Sequence, residues 1–132
     1  MTEKLVLDAG VLFLHFADHD GVRSYFDRII SGRCQGLISV FNLAEFYYKA
    51  CQKLGRQTAD TWYFQLRNTE LEVVNKEELI RAAALEKCRH PDTLSLADCF
   101  ALALAKAERA LLVTTDGELA KVRDVKTRHV KV

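Results

Sequence analysis

Four carboxylates in this chain stand where no basic neighbour is obviously placed to neutralise all of them. Asp8 ends the short apolar run Leu5-Val6-Leu7, and Asp116 ends a second run, Ala110 to Thr115. Glu45 and Asp98 sit in the first turns of two stretches of helical periodicity, SVFNLAEFYYKA and LSLADCFALALA. On its helix Asp98 has Leu94, Ser95, Ala101 and Leu102 at the three- and four-residue spacings, so no Lys or Arg on that face pairs with it. Gathering four such groups is costly unless a cation neutralises them. Hard divalent ions, Mg2+ or Mn2+, suit an all-oxygen site, and no His or Cys is placed to favour zinc.

Each acid also has a plainer reading. Ser95-Leu96-Ala97-Asp98 fits a capping box, in which an acid three residues after a Ser satisfies free amides at a helix start. Asp116, before Gly117, fits a turn or the cap of a short last helix. Lys49 follows Glu45 by four residues, the favourable orientation for a surface ion pair. His15 and His19 share a helical spacing, but no third ligand follows, so they read as surface or capping residues. Cys34, Cys51, Cys88 and Cys99 lack a C-x-x-C spacing and read as small buried hydrophobes.

The elements that would bring the acids together alternate between strand and helix. Glu3 to Leu7 reads as a first strand that delivers Asp8 at its C-terminal end, followed by a short helix over Gly10 to Phe16 and another over Val22 to Ser31. Gly36 to Ser39 reads as a second strand. Ser39 or Asn42 can cap a long helix to Leu54, stopped by Gly55. Thr58 can cap a helix to Leu66, Leu71 to Val74 is a third strand, and Lys76 to Lys87 is helical. The Asp98 helix, the Ala110 to Thr115 strand and an edge strand over Thr127 to Val132 complete the pattern. Such alternation implies right-handed crossovers and an α/β fold with a mainly parallel sheet covered on both faces. If the first strand and the Ala110 strand are neighbours, Asp8 and Asp116 flank one crevice at the strand ends where ligands bind in open sheets.

At 132 residues, with 49% hydrophobic and 28% charged residues, the chain suits a single globular domain over 1–132. Asp8 interrupts the first apolar run before it reaches the length of a signal-peptide core or membrane span, so a cytoplasmic location is expected. There is no G-x-G-x-x-G, no P-loop and no G-x-S-x-G elbow. Net charge is only +1, from 19 Lys and Arg against 18 Asp and Glu. The balance is uneven, however: beyond Glu118 stand Lys121, Arg123, Lys126, Arg128 and Lys131 against Asp124 alone. Lys121, Arg123 and Arg128 are therefore candidate contacts to a phosphate backbone.

VLDAGVL, SVFNLAEFYYKA, LSLADCFALALA and LLVTTD, in this order and spacing, resemble a PIN domain, and more narrowly the single-domain VapC-type toxin nucleases. The resemblance covers essentially the whole chain. It implies a mostly parallel five-stranded sheet between helices and metal-dependent RNA cleavage. It assigns the acidic positions to Asp8, Glu45, Asp98 and Asp116, with a polar position at Thr114. One departure stands out. Where such domains carry Ser, Thr or Asn two residues after the first acid, this chain has Gly10, which offers no side chain to orient a carboxylate or a water. Glu118 is at most an accessory acid.

Seven of the twelve aromatic residues lie between Phe41 and Phe64, six of them on the two helices Asn42 to Leu54 and Thr58 to Leu66. That excess implies a groove or interface, and the resemblance implies a homodimer that receives an antitoxin segment there. The leading reading is a Mg2+- or Mn2+-dependent endoribonuclease, the toxin of a type II toxin–antitoxin pair. Alternatives are an RNA-maturation nuclease without antitoxin, a non-catalytic PIN-like module that binds RNA or protein, and a receiver-like Mg2+ pocket.

Overall fold

Leu5, Val6 and Leu7 are wholly inaccessible, as a central strand must be when helices cover both faces of its sheet. A computed structural model describes residues 2–132. Strands β1 (Glu3–Leu7), β2 (Cys34–Ser39), β3 (Glu72–Val74), β4 (Leu111–Thr114) and β5 (Thr127–His129) alternate with seven helices. These are α1 (Ala9–Phe16), α2 (Arg23–Ile30), α3 (Val40–Leu54), α4 (Arg56–Arg67), α5 (Glu77–Arg89), α6 (Leu96–Glu108) and α7 (Gly117–Ala120). The sheet runs β3-β2-β1-β4-β5, and every pairing is parallel.

Alternation along β1 divides the interior in two. Leu5 and Leu7 face a layer built by α1 to α4, with Val11, Leu12, Phe26, Ile29, Phe46 and Leu66. Val6 faces α5 and α6, where Leu79, Ala83, Leu102, Leu104 and Ala105 close the other side. The run of small residues on α6 lets it lie close to both α5 and the sheet, and Ala101, Leu102 and Ala105 are fully buried.

Most element boundaries fall where the sequence places them. One helix does not begin at its expected cap: α4 starts at Arg56, and Thr58 lies inside it. The cause is Gly55, which sits at φ +93, ending α3 and turning the chain directly into α4 without a side-chain cap. The last strand is also shorter than expected, ending at His129. Two of the cysteines, Cys34 and Cys99, are buried as expected, whereas Cys51 is partly buried and Cys88 exposed; none is bridged.

The strand order fixes where a site can form. From β1 the chain builds outward through β2 and β3, then returns to the other side of β1 with β4. The reversal lies between β1 and β4, which are direct neighbours with Leu7 paired to Val113. A crevice outside the C-terminal ends of these two strands follows from that reversal.

Candidate active site

Asp8 and Asp116 stand on the two lips of this crevice, each just beyond the C-terminal end of a strand and capping the next helix. The Asp8 carboxylate accepts the Val11 N–H at 2.9 Å through Oδ1 and the Thr115 N–H at 3.1 Å through Oδ2. The Thr114 hydroxyl donates to the same Oδ2, and accepts the Asp116 N–H at 2.9 Å. Thr114 is completely buried, so this chain of hydrogen bonds locks the end of β4 against the end of β1. Asp116 accepts the Leu119 N–H at 2.9 Å and thereby starts α7.

Asp98 makes the capping box that its sequence spells: its Oδ2 accepts the Ser95 N–H at 3.0 Å, and its own N–H donates to the Ser95 hydroxyl at 3.1 Å. The plain readings of Asp98 and Asp116 are therefore correct as geometry. They account for one carboxylate oxygen of each residue and leave the other free. The helix that carries Glu45 is capped by Ser39, not Asn42; Asn42 instead reaches across to α6, its Nδ2 donating to the Ala97 carbonyl at 2.9 Å. Buried and doubly bonded, Asn42 fixes the start of α3 against the start of α6 and so sets the spacing of Glu45 from Asp98.

The electrostatics tie all four acids to one another. Burial pushes the Asp8 carboxyl above its ordinary range, against the hydrogen bonds from Thr114, Val11 and Thr115, and the Asp116 charge adds to the rise. Burial also raises Glu45; Lys49 offsets part of this, and Asp98, Asp8 and Asp116 add to it. Asp98 is raised by burial, held down partly by its bonds with Ser95, and raised again by Asp116 and Asp8. Among the described residues none of the four forms an ion pair, whereas the other buried acid, Glu86, is paired with both Lys106 and Arg89. Charge is neutralised at Glu86 and left standing in the crevice.

The donor set tests whether a cation fits. It consists of carboxylate oxygens on two strand ends and two helix starts, which is the chemistry that Mg2+ and Mn2+ prefer. The side chains do not form a ready cage, since among the described residues no three His, Cys, Asp or Glu stand in a ligating arrangement. The residues fit a hydrated divalent ion held by carboxylates and water.

A pH dependence follows, with its sign set by the direction of the shifts. Folding raises the pKa of Asp8, Glu45 and Asp98, so the folded chain binds protons more tightly than the unfolded one between the ordinary carboxylate value and the raised values. This contribution to stability is greatest below that window and is lost as pH rises through it. In chelator, the melting temperature should therefore rise as the buffer is brought from neutral pH toward the window, and saturating Mn2+ should flatten that slope. Scanning fluorimetry over a pH series with EDTA or Mn2+ checks it.

Other candidates from the sequence are distributed differently. Arg128 does not face the acids: it lines a 520 Å3 cavity with Glu3, Lys106, Arg109 and Lys126, by the N-terminal ends of β1 and β4. Lys121 bonds Glu118 at 3.2 Å, and with Arg123 and His90 it lines a shallow hollow beside the start of α6. The two histidines are each engaged separately: the His15 ring stacks on Phe26 at 3.8 Å, and His19 accepts the Gly21 N–H at 2.9 Å. Three residues near the site were not singled out from sequence as contributors to it: the Asn42 bridge, Thr115 and His129. His129 reaches the rim through its Nε2, 3.3 Å from the Thr115 carbonyl.

The aromatic excess on α3 and α4 is divided between interior and surface, with Phe41 on the surface side at 38% exposure. Phe46 is fully buried, and Trp62 packs on Phe13 and Phe16, each at 5.4 Å, and on Phe46 at 6.3 Å. Tyr48 and Phe64 remain exposed. A second apolar surface lies elsewhere: Val40, Phe41, Ala44, Leu79, Ile80 and Phe100 line a 390 Å3 groove where α3 meets α5 and α6, with Phe41 stacked on Phe100 at 4.6 Å. Among the described residues no helix is long and apolar enough to cross a membrane.

Solved structures share this architecture at low identity. VapBC2 from Rickettsia felis, bound to a promoter DNA fragment, gives a TM-score of 0.74 with 14% identity, over 96% of this chain and 98% of that one. DNA-bound VapBC from Salmonella typhimurium gives 0.72 with 17% identity, over 98% of both. Mycobacterium tuberculosis VapC20, a toxin described as cleaving the sarcin-ricin loop, gives 0.70 with 17% identity, over 92% of this chain and 98% of that one. No curated protein matches the chain by sequence. Residues 5–125 match the PIN domain, which takes in the whole crevice from Asp8 to Asp116, and the chain belongs to the PIN domain family.

Proposed function

We propose that residues 1–132 form one nuclease domain, a Mg2+- or Mn2+-dependent endoribonuclease that serves as the toxin of a type II toxin–antitoxin pair in the cytoplasm. The observation that carries this reading is the coupling of Asp8, Glu45, Asp98 and Asp116 in one crevice at the sheet reversal, without an ion pair to any of them. The solved relatives support the partner: the R. felis and S. typhimurium structures are VapBC assemblies.

Asp8, Glu45, Asp98 and Asp116 would hold the cation. When bound, it supplies Lewis acidity toward a phosphate and lowers the pKa of water. The chain supplies orientation. Thr114, Val11 and Thr115 clamp the Asp8 carboxylate, Ser95 clamps Asp98, and the Leu119 amide clamps Asp116, so each presents a fixed oxygen to the crevice. No side chain is needed as nucleophile. Lys121 and Arg123, which line the hollow beside the start of α6, would be the contacts to an RNA backbone in this reading, and Arg128, in the cavity by the N-terminal strand ends, would not.

The homodimer belongs to the same reading, and the groove of Phe41 and Phe100 is the better candidate surface for it. It lies at the starts of α3 and α6, so a second copy seated there would bring two acidic crevices side by side. The exposed Tyr48 and Phe64 would remain for the antitoxin.

Purified protein should cut RNA in Mn2+ or Mg2+ and stop on addition of EDTA, with activity restored by excess metal and suppressed by a co-expressed antitoxin. Binding of RNA without cleavage in either metal would sink the enzymatic reading and leave a binding module.

A further inference from the structure

Gly10 occupies the first turn of α1, two residues after Asp8, and the space above its Cα is already filled. A Cβ built on Gly10 would overlap the Thr115 hydroxyl and stand 3.2 Å from the Thr115 Cβ and Cγ2. The absence of a side chain at position 10 and the presence of one at position 115 are thus a single arrangement. Thr115 lays its Oγ1 on the glycine, and its N–H bonds the carboxylate of Asp8.

Thr115 is held there firmly. Its N–H donates to Asp8 Oδ2 at 3.1 Å, and its carbonyl lies 3.3 Å from His129 Nε2. Its neighbours in sequence are Thr114, whose hydroxyl also donates to Asp8, and Asp116, which caps α7. Among the described residues the Thr115 hydroxyl itself has no hydrogen-bond partner, and the residue is only partly buried. A hydroxyl on a backbone pinned to a buried carboxylate, with its own hydrogen bonds unspent and the residue partly open to solvent, is suited to orient water on the acids.

We propose that Thr115 is a positioning residue of the cation site: its Oγ1 stands in for the side chain that Gly10 lacks and hydrogen-bonds the hydration shell of a divalent ion held by Asp8 and Asp116. This rests on the reading of the four acids as a cation site. Gly10 is then no defect but the condition that admits the Thr115 hydroxyl, and the polar group has moved from the helix to the end of β4.

The test is Mn2+ affinity, measured calorimetrically on the intact chain, with melting temperature in EDTA as the control for folding. Thr115→Val keeps the shape and removes the hydroxyl, and should weaken Mn2+ binding about tenfold without moving the melting temperature. Thr115→Ser keeps the hydroxyl and should bind within about threefold of wild type. Gly10→Ser alone forces the overlap and should lose both affinity and melting temperature. The exchange Gly10→Ser with Thr115→Ala moves the hydroxyl back to the helix, and should recover affinity to within about threefold of wild type.

Wild-type affinity in Thr115→Val overturns the proposal and leaves the cation site standing. Equal losses in Thr115→Val and Thr115→Ser also overturn it, because packing alone would then explain Thr115. If the wild-type chain binds no Mn2+, the cation site itself fails, and the role of Thr115 fails with it. Should Thr115→Val unfold, the exchange variant decides: affinity no better than in Gly10→Ser counts against the proposal.

Discussion

Asp98→Asn should reduce metal-dependent RNA cleavage by more than about a hundredfold while leaving the melting temperature in chelator equal to or above that of the wild type, because this substitution separates two roles that the residue combines. As a cap, Asp98 accepts the Ser95 N–H at 3.0 Å through one oxygen, and an Asn carbonyl can do the same. As an acid, it faces Asp116 and Asp8, and its burial together with their charges holds its carboxyl above the ordinary range. Removing the charge ends that unfavourable term and costs the fold nothing that the amide cannot replace. The same charge is what a cation would bind, and losing a direct ligand should exceed the roughly 10- to 100-fold effect of disturbing an outer partner. Cleavage at the wild-type rate, with the fold intact, would return Asp98 to a cap and nothing more. Loss of folding would show that the ionised form matters to the helix start.

The ambiguity of Asp98 in the sequence was a physical one and not a lack of information. Ser-x-x-Asp is the right pattern for a helix start, and the helix does start there; the same residue also lies close enough to Asp116 and Asp8 for their charges to raise its carboxyl. Strand ends behave likewise, with Asp8 and Asp116 each capping a helix and lining the site. The apolar runs before them read as buried strands because a central strand covered on both faces admits no polar alternation, and Leu5 to Leu7 and Leu112 to Thr114 are wholly inaccessible.

What could not be read depends on contacts between distant positions. The Asn42 amide meets the Ala97 carbonyl 55 positions away, so a side chain that looks like a cap is in fact a bridge. Gly10 looks like a missing polar group until Thr115 is seen to fill its place. Arg128 joins the basic end of the chain in sequence, but in space it lines a cavity away from the acids. The aromatic cluster is of mixed character for a related reason: counting Phe, Tyr and Trp along two helices does not separate Trp62, which meets Phe13 and Phe16 of α1, from Phe41, Tyr48 and Phe64, which stay exposed.

Trp62 packs against the interior and Phe41 lies at the surface, so the two substitutions report different properties. Trp62→Ala should destabilise the fold, by about 3 kcal/mol at the lower end of the range for removing a large packed aromatic, and should leave the oligomer unchanged in the folded fraction. Phe41→Asp should do the reverse. Phe41 is 38% exposed, Val40 44% and Ile80 61%, and together with Phe100 they present an apolar face next to the starts of α3 and α6. Burying an aspartate against its own two-fold mate adds desolvation and like-charge repulsion to the loss of a stacked ring, so the dimer should weaken by at least about 2 kcal/mol, or roughly thirtyfold. Sedimentation of the wild type at micromolar concentration should give twice the chain mass, and the Phe41→Asp variant should give the monomer mass with a melting temperature close to that of a diluted wild type. A wild-type dimer that persists in Phe41→Asp but dissociates in Phe64→Asp would move the interface back to α3 and α4.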